Sequence, residues 1–337
     1  MQKIFNRNET LYGPAPAAVA AIKNLNREHI FQYINGYHTS ILIPALAKKF
    51  TIPEAQIITS YGSENFLETV FNSLRAGEDE VLTHQFHYIY YEKYLAFRGV
   101  KLHEFKLVQK PSEFLFDITD CIAQIKKIKP KLVLLTSPNN PTGNSITPDD
   151  LEKILAAAPP TTLVIVDEAY YGLNAAYPEK KFLALLAKYP NLAYGRTFSK
   201  LYALAGLRVA YALCGTNVKN LLRYQTHYLG MSRILEQVAV AALDAKPYYK
   251  KLAAAYAKDR AQFIRAVNKL KNFHAFTSDA SFVLIHVDAK ILPTFVATTQ
   301  KASFLISKPV TENLYRISLD PKKYTKQFIA LLKKIDA

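Results

Sequence analysis

The chain has 337 residues, enough for one large domain and a smaller one, and its 50% hydrophobic and 21% charged residues are a globular mix. Lys and Arg number 43 against 27 Asp and Glu, a net charge of +16. The basic residues are spread over amphipathic stretches such as 125–131 and 331–334, with no basic tail, zinc-finger spacing or aromatic-basic RNA motif, which argues against a nucleic-acid partner. No apolar run approaches the roughly 20 residues of a membrane span. Residues 1–9 lack a signal-peptide core, and Cys121 and Cys214 sit in apolar surroundings. Reduced, buried thiols in a cytoplasmic protein are the expectation.

Short β-branched runs alternate with longer periodic ones. Strands are expected at 56–60, 80–83, 132–136, 163–166 and 209–213. The runs at 132 and 163 are apolar without alternation, as in strands buried on both faces of a parallel sheet. Helical spacing covers 65–74, 116–128 and 148–157, the last opened by Thr147-Pro148-Asp149-Asp150. The fold class is therefore α/β, a mostly parallel sheet covered by helices, over about residues 25–240. From 241 onward a long helix at 249–270, strands at 282–285 and 314–318 and a final helix at 324–335 predict a smaller α+β domain. Residues 1–24 are expected to complete it.

Ligands of open α/β sheets bind outside the carboxyl ends of the strands, and polar clusters stand there. The strand at 163–166 runs into Asp167-Glu168-Ala169-Tyr170. A carboxylate there either caps a helix or needs a cationic partner, such as a protonated pyridine nitrogen. Ser137-Pro138-Asn139-Asn140-Pro141-Thr142-Gly143 follows the strand at 132–136, and its prolines hold Asn140 extended, in a plain turn or with its amide offered to a ligand. In Arg196-Thr197-Phe198-Ser199-Lys200, followed by Arg208, an apolar setting lowers a lysine's pKa and makes it a nucleophile. Thr197, Ser199 and Arg208 are groups that hold phosphate; a solvated loop lysine is the alternative. Tyr61-Gly62-Ser63-Glu64, before a helix, could bind an anion through backbone N–H groups. His84 and His87 lack a third metal ligand and read as surface or packing groups.

Taken in order, these segments resemble the fold-type I pyridoxal-phosphate (PLP) enzymes, and most closely the histidinol-phosphate aminotransferase family. The resemblance starts at Asn8-Glu9-Thr10-Leu11-Tyr12-Gly13-Pro14, passes through Gly62-Ser63-Glu64, Asn140-Pro141-Thr142-Gly143, Asp167-Glu168-Ala169-Tyr170 and Ser199-Lys200, and closes on Tyr315-Arg316-Ile317-Ser318. It implies that Lys200 holds PLP as a Schiff base and that Asp167 pairs with the ring nitrogen. Tyr170 and Asn140 would bond the ring oxygen, and Tyr88 would stack on the ring. Ser63, Glu64, Thr197, Ser199 and Arg208 would hold the phosphate, joined by Tyr33 from a partner subunit in a homodimer. Arg316, Asn140 and Tyr12 would face the substrate.

The resemblance implies amino transfer to a 2-oxo acid such as 2-oxoglutarate, from histidinol phosphate or an aromatic amino acid. Departures fall on the substrate side: Ser307 and Lys308 stand where the family has an arginine, and Tyr228-Leu229-Gly230-Met231-Ser232 replaces its P-[FY]-N-V stretch. The rival within this fold is an amino-acid-phosphate decarboxylase, separated by assaying for carbon dioxide. A PLP-fold regulator or basic nucleic-acid binder would need a DNA-binding module, and none precedes Asn8.

Overall fold

The computed structural model describes residues 3–31, 40–224, 230–319 and 323–337. The strands are β1 (Lys3–Phe5), β2 (Ile57–Ser60), β3 (Glu80–His84), β4 (Lys101–Phe105), a short antiparallel pair β5 (Leu107–Gln109) and β6 (Phe114–Phe116), β7 (Leu132–Thr136), β8 (Leu163–Asp167), β9 (Leu192–Thr197), β10 (Ala210–Cys214), β11 (Phe273–Ala275), β12 (Phe282–Val287), β13 (Phe304–Ile306) and β14 (Leu314–Ser318). Seven of them form one sheet in the order β2-β10-β9-β8-β7-β3-β4. Pairings among β9, β8, β7, β3 and β4 are parallel, and β10 alone runs antiparallel to its neighbours β2 and β9. The predicted α/β class with a mostly parallel sheet is what the chain adopts.

The unbroken apolar runs have a structural cause. Side chains alternate across a strand, so Leu132, Leu134, Leu163 and Ile165 enter one core while Val133, Leu135, Val164 and Val166 enter the other. Helices cover both faces, among them Ser63–Asn72, Ile89–Phe97 and Val218–Leu221 on the first and Leu42–Phe50, Ile118–Ile128 and Pro148–Ala157 on the second. Thr147 and Asp117 cap the last two through side-chain bonds to Asp150 N and Asp120 N.

After the helix Lys246–Val267, strands β11-β12-β14 form a separate antiparallel sheet over a core of Phe5, Phe263, Phe295 and Phe328. β1 joins this region by pairing in parallel with β13. Residues 15–23 do not follow it: Ala15 and Ala18 lie in the main core, and their helix Pro16–Lys23 packs on the helix Arg233–Asp244. Cys121 and Cys214 are buried and free, and among the described residues no helix is long and apolar enough to cross a membrane.

Candidate active site

Parallel strands end together, so the sheet delivers His84, Thr136, Asp167 and Thr197 to one edge. A cavity of about 320 Å³ opens there, lined by Ser63, Glu64, Tyr88, Asn140, Asp167, Tyr170, Thr197, Ser199, Lys200, Arg208 and Arg316, together with Asn6–Glu9, Leu67, Thr136, Ala169 and Ala205. Of the residues that the resemblance assigns to cofactor or substrate, Tyr12 and Tyr33 are not among these. Tyr33 lies outside the described residues. Tyr12 is turned away: its hydroxyl donates to Asp259 Oδ2 at 2.9 Å and its ring meets Tyr256 edge-on. It lies outside the lining of this cavity.

Asp167 ends β8 with its side chain inside the site and 7% exposed. Tyr91 donates to its Oδ2 at 2.6 Å and the Ala169 amide to its Oδ1 at 3.1 Å. Burial outweighs those bonds and raises the carboxyl's pKa to about 6. Tyr91 is fully buried on the helix Ile89–Phe97 and shares its hydroxyl with Thr136 Oγ1 at 3.0 Å. Sequence reasoning missed it. Its one advance signal was a tyrosine three residues beyond Tyr88, on the same helix side.

The neighbouring Glu168 alternates to the opposite face and meets Arg196 of β9, Nε to Oε2 at 2.6 Å, with both side chains buried. Tyr171 lies under the guanidinium at 3.6 Å, and Glu179 accepts at 3.3 Å. This buried pair ties β8 to β9 just below the ligand edge. Of the two readings given for His84, packing is the one that holds: it is buried against Phe105 and Phe116, its Nε2 accepts from the Thr136 amide at 3.1 Å, and burial holds its pKa down at about 4. Among the described residues no cluster of ligands fit for a metal occurs.

The loop 198–209 between β9 and β10 carries Lys200 and Arg208. Lys200 Nζ lies 3.5 Å from the Arg7 carbonyl and 5.8 Å from the centre of the Tyr170 ring. Burial, then Arg316, lowers its pKa to about 8. Thr197 Oγ1 donates to Ser199 Oγ at 2.9 Å and accepts from the Ser199 amide at 3.1 Å, fixing the turn before Lys200. Arg208 reaches back to Glu64 at 3.4 Å across Gly62, whose φ of +89° starts the helix Ser63–Asn72. A Cβ on Gly62 would sit 2.5 Å from Arg208 Nη2, so glycine makes room for the guanidinium over the helix start.

Arg316 comes from β14. Its Nη1 donates to Asn140 Oδ1 and its Nη2 to the Asn6 carbonyl, both at 2.6 Å, while its Nε is buried without a partner. Ser307 Oγ donates to the Arg316 carbonyl at 3.0 Å, whereas Lys308 is exposed and outside the cavity lining.

These features can be tested against a flat, anionic cofactor with a cationic ring nitrogen. A buried carboxyl that protonates too easily, a lysine that deprotonates too easily and an arginine poised over a helix N-terminus are what such a group would relieve. The residues fit it.

Residues 3–326 match the sequence model of the aminotransferase class I and II family. The chain belongs to that family. It is a PLP-dependent transaminase. It is 30% identical over 285 residues to a histidinol-phosphate aminotransferase of Staphylococcus carnosus, covering 83% of this chain and 76% of that one. A Ralstonia nicotianae protein, "Histidinol-phosphate aminotransferase 2", is 31% identical over 85% of this chain and 74% of its own. The structure of histidinol-phosphate aminotransferase from Sinorhizobium meliloti in complex with pyridoxal-5'-phosphate superposes with a TM-score of 0.86 at 25% identity, over 99% of this chain and 90% of that one. An L-threonine-O-3-phosphate decarboxylase from Porphyromonas gingivalis reaches a TM-score of 0.80 at 16% identity, over 98% of each chain, and shares the fold.

Proposed function

We propose that this transaminase moves the amino group of histidinol phosphate or an aromatic amino acid to a 2-oxo acid such as 2-oxoglutarate, using Lys200 as its covalent and proton-carrying residue. The observation that carries this reading is the convergence of Lys200, Asp167, Tyr170, Asn140, Arg208 and Arg316 on one cavity. The relatives in Staphylococcus carnosus and Ralstonia nicotianae support histidinol phosphate as a donor.

Bound PLP would supply an electron sink that makes the donor's α-hydrogen acidic. Ser63 with the amides of its helix start, Thr197, Ser199 and Arg208 would hold the phosphate. Asp167 would face the ring nitrogen, Tyr170 and the Nδ2 of Asn140 the ring oxygen, and Tyr88 the ring. Lys200 takes a proton from the donor's α-carbon and returns it on the other side of the exchange, which its lowered pKa favours near neutral pH. Arg316 grips a carboxylate by its planar fork, releasing Asn140 or Asn6 as it does so. A decarboxylase would use the same cofactor residues, and carbon dioxide release in place of a 2-oxo acid would move the assignment there.

Donor choice follows from the β13–β14 turn. A lysine offers phosphate a point charge where an arginine offers a fork; Lys308 is exposed, and Ser307 is engaged with the backbone. Losing one charged hydrogen bond costs a ligand about 1.5–3 kcal/mol, roughly one to two decades in affinity. Histidinol phosphate is therefore expected to be a middling donor, with phenylalanine and tyrosine competing well. Specificity constants with 2-oxoglutarate in excess check this; a preference for histidinol phosphate of about a thousandfold, on the order of 4 kcal/mol, refutes it.

The homodimer and the Tyr33 contribution belong to the same proposal. Val19, Ile22, Ile30 and Phe31 of the N-terminal helices, and Ile41 just before the helix Leu42–Phe50, are exposed apolar residues that a second copy would cover. A fully active monomer in sedimentation would remove this part. The free, buried thiols support a cytoplasmic setting.

A further inference from the structure

The segment 6–10 lacks regular structure, yet it is fastened across the site. Its Asn6 carbonyl accepts from Arg316, its Arg7 carbonyl from Lys200, and Thr10 donates to the Lys200 carbonyl. Asn8 is the buried member, 4% exposed, with a left-handed φ of 54° that asparagine tolerates better than most residues. The Ser318 hydroxyl donates to its Oδ1, and its Nδ2 donates to the Tyr170 hydroxyl at 2.9 Å. Arg316 and Ser318 lie two apart on β14 and so point to one face, where they meet Asn6 and Asn8, also two apart.

An amide has one accepting end and one donating end. With Ser318 on the accepting end, the donating end falls to Tyr170, so the phenol oxygen accepts and its own proton stays free for the cavity. We propose that Asn8 is a positioning residue of this transaminase: it keeps the Tyr170 proton available to the cofactor's ring oxygen, and Ser318 sets the sense of the amide. The proposal rests on the PLP reading above and assigns a role to the asparagine of the Asn8-Glu9 motif.

The surroundings of Tyr170 agree. Burial raises its pKa to about 12, against which Arg316 and then the Asn8 bond pull downward, while Asp167 and Tyr88 push up; Lys200 stands 5.8 Å from the ring. A bond donated to the phenol oxygen makes it a better proton donor.

The test uses the PLP-loaded enzyme and titrates the visible absorbance of its bound cofactor with pH, alongside kcat. Weakening a donor to an anionic oxygen raises the pKa of a proton shared with that oxygen. Asn8→Gly, which keeps the positive φ without strain, should move the absorbance pKa up by about half a unit and lower kcat roughly fivefold. Asn8→Asp should do more, because a carboxylate takes the Tyr170 proton for itself, and Ser318→Ala less, in the same direction. In a Tyr170→Phe background Asn8→Gly should add nothing further, the signature of a residue acting through Tyr170. Additive shifts in that background, or an Asn8→Asp enzyme that titrates like wild type, overturn the proposal. A wild type with no lysine-bound absorbance removes the parent reading and this one together; a wild-type band that Tyr170→Phe moves and Asn8→Gly leaves unmoved removes this one alone.

Discussion

Lys200→Ala is expected to lose turnover by at least about four decades, because on the proposed reading it removes both the covalent attachment and the proton carrier. The visible band of the lysine-bound cofactor should vanish, and borohydride should no longer trap PLP on the chain. Trapping that maps to another lysine would show that the chemistry is centred elsewhere. The cofactor-free protein gives an independent check. Its Lys200 is lowered to about 8 by burial first and Arg316 second. At a given neutral pH the free amine is thus about 300-fold more populated than in an unperturbed lysine. The sign for stability follows: a depressed folded-state pKa means that the contribution is complete above the unfolded value near 10.5 and is lost as pH falls through about 8. Wild-type apoenzyme should therefore lose stability over that interval, and Lys200→Ala should flatten the loss in thermal unfolding curves.

Much of this site was legible because its residues close short motifs at strand ends. The runs 132–135 and 163–166 carry no polar residue, so the first polar groups after them, from Thr136 and Asp167 on, had to face a ligand edge. Boundaries slipped where backbone geometry decides. The helix expected from 65 starts at Ser63, because Gly62 in a positive-φ turn lets the chain enter it early. The long helix expected from 249 starts at Lys246, with Pro247 in its first turn. β4 was missed because its Lys101-Leu102-His103-Glu104-Phe105 run is too charged to read as a sheet strand; it lies at the edge.

Contacts between distant segments were not legible. Tyr91 reaches Asp167 across 76 positions and Asn8 reaches Tyr170 across 162, and no local periodicity encodes either. Tyr12 shows the converse. It stands four residues from Asn8, but the chain turns at Gly13, with a φ of 81°, and carries Tyr12 against Asp259 and Tyr256. Membership of one motif does not place two side chains on one face.

Asp167→Asn should act in opposite directions on stability and on turnover. In the cofactor-free protein Asp167 is raised from 3.8 to about 6 by burial, against the bonds from Tyr91 and the Ala169 amide. A raised folded-state pKa means that its contribution is fully present below about 3.8 and lost as pH rises through about 6. At pH 7–8 the ionised, buried carboxylate therefore costs the empty protein about 3 kcal/mol relative to its neutral form. Asparagine stays neutral and can still accept from Tyr91. Its amide end has nothing to offer the Ala169 N–H, a loss of about 1 kcal/mol. The net expectation is a cofactor-free variant more stable by roughly 2 kcal/mol at pH 7–8, a rise of a few degrees in Tm that shrinks toward pH 4. The loaded enzyme should behave in the reverse sense. A carboxylate that faces a ring cation in a buried site is one half of an ion pair, and removing one half of such a pair costs about 3–5 kcal/mol. That predicts weaker PLP binding and a kcat lower by roughly two to four decades. Scanning calorimetry of the apoenzyme at pH 4, 6 and 8 and kinetics at saturating PLP separate the two effects. A variant destabilised at pH 8, or one that keeps wild-type kcat, would mean that the Asp167 carboxylate is there for the fold and not for the cofactor. The combination of a gain in stability with a loss in rate belongs to a charge held in readiness for a ligand.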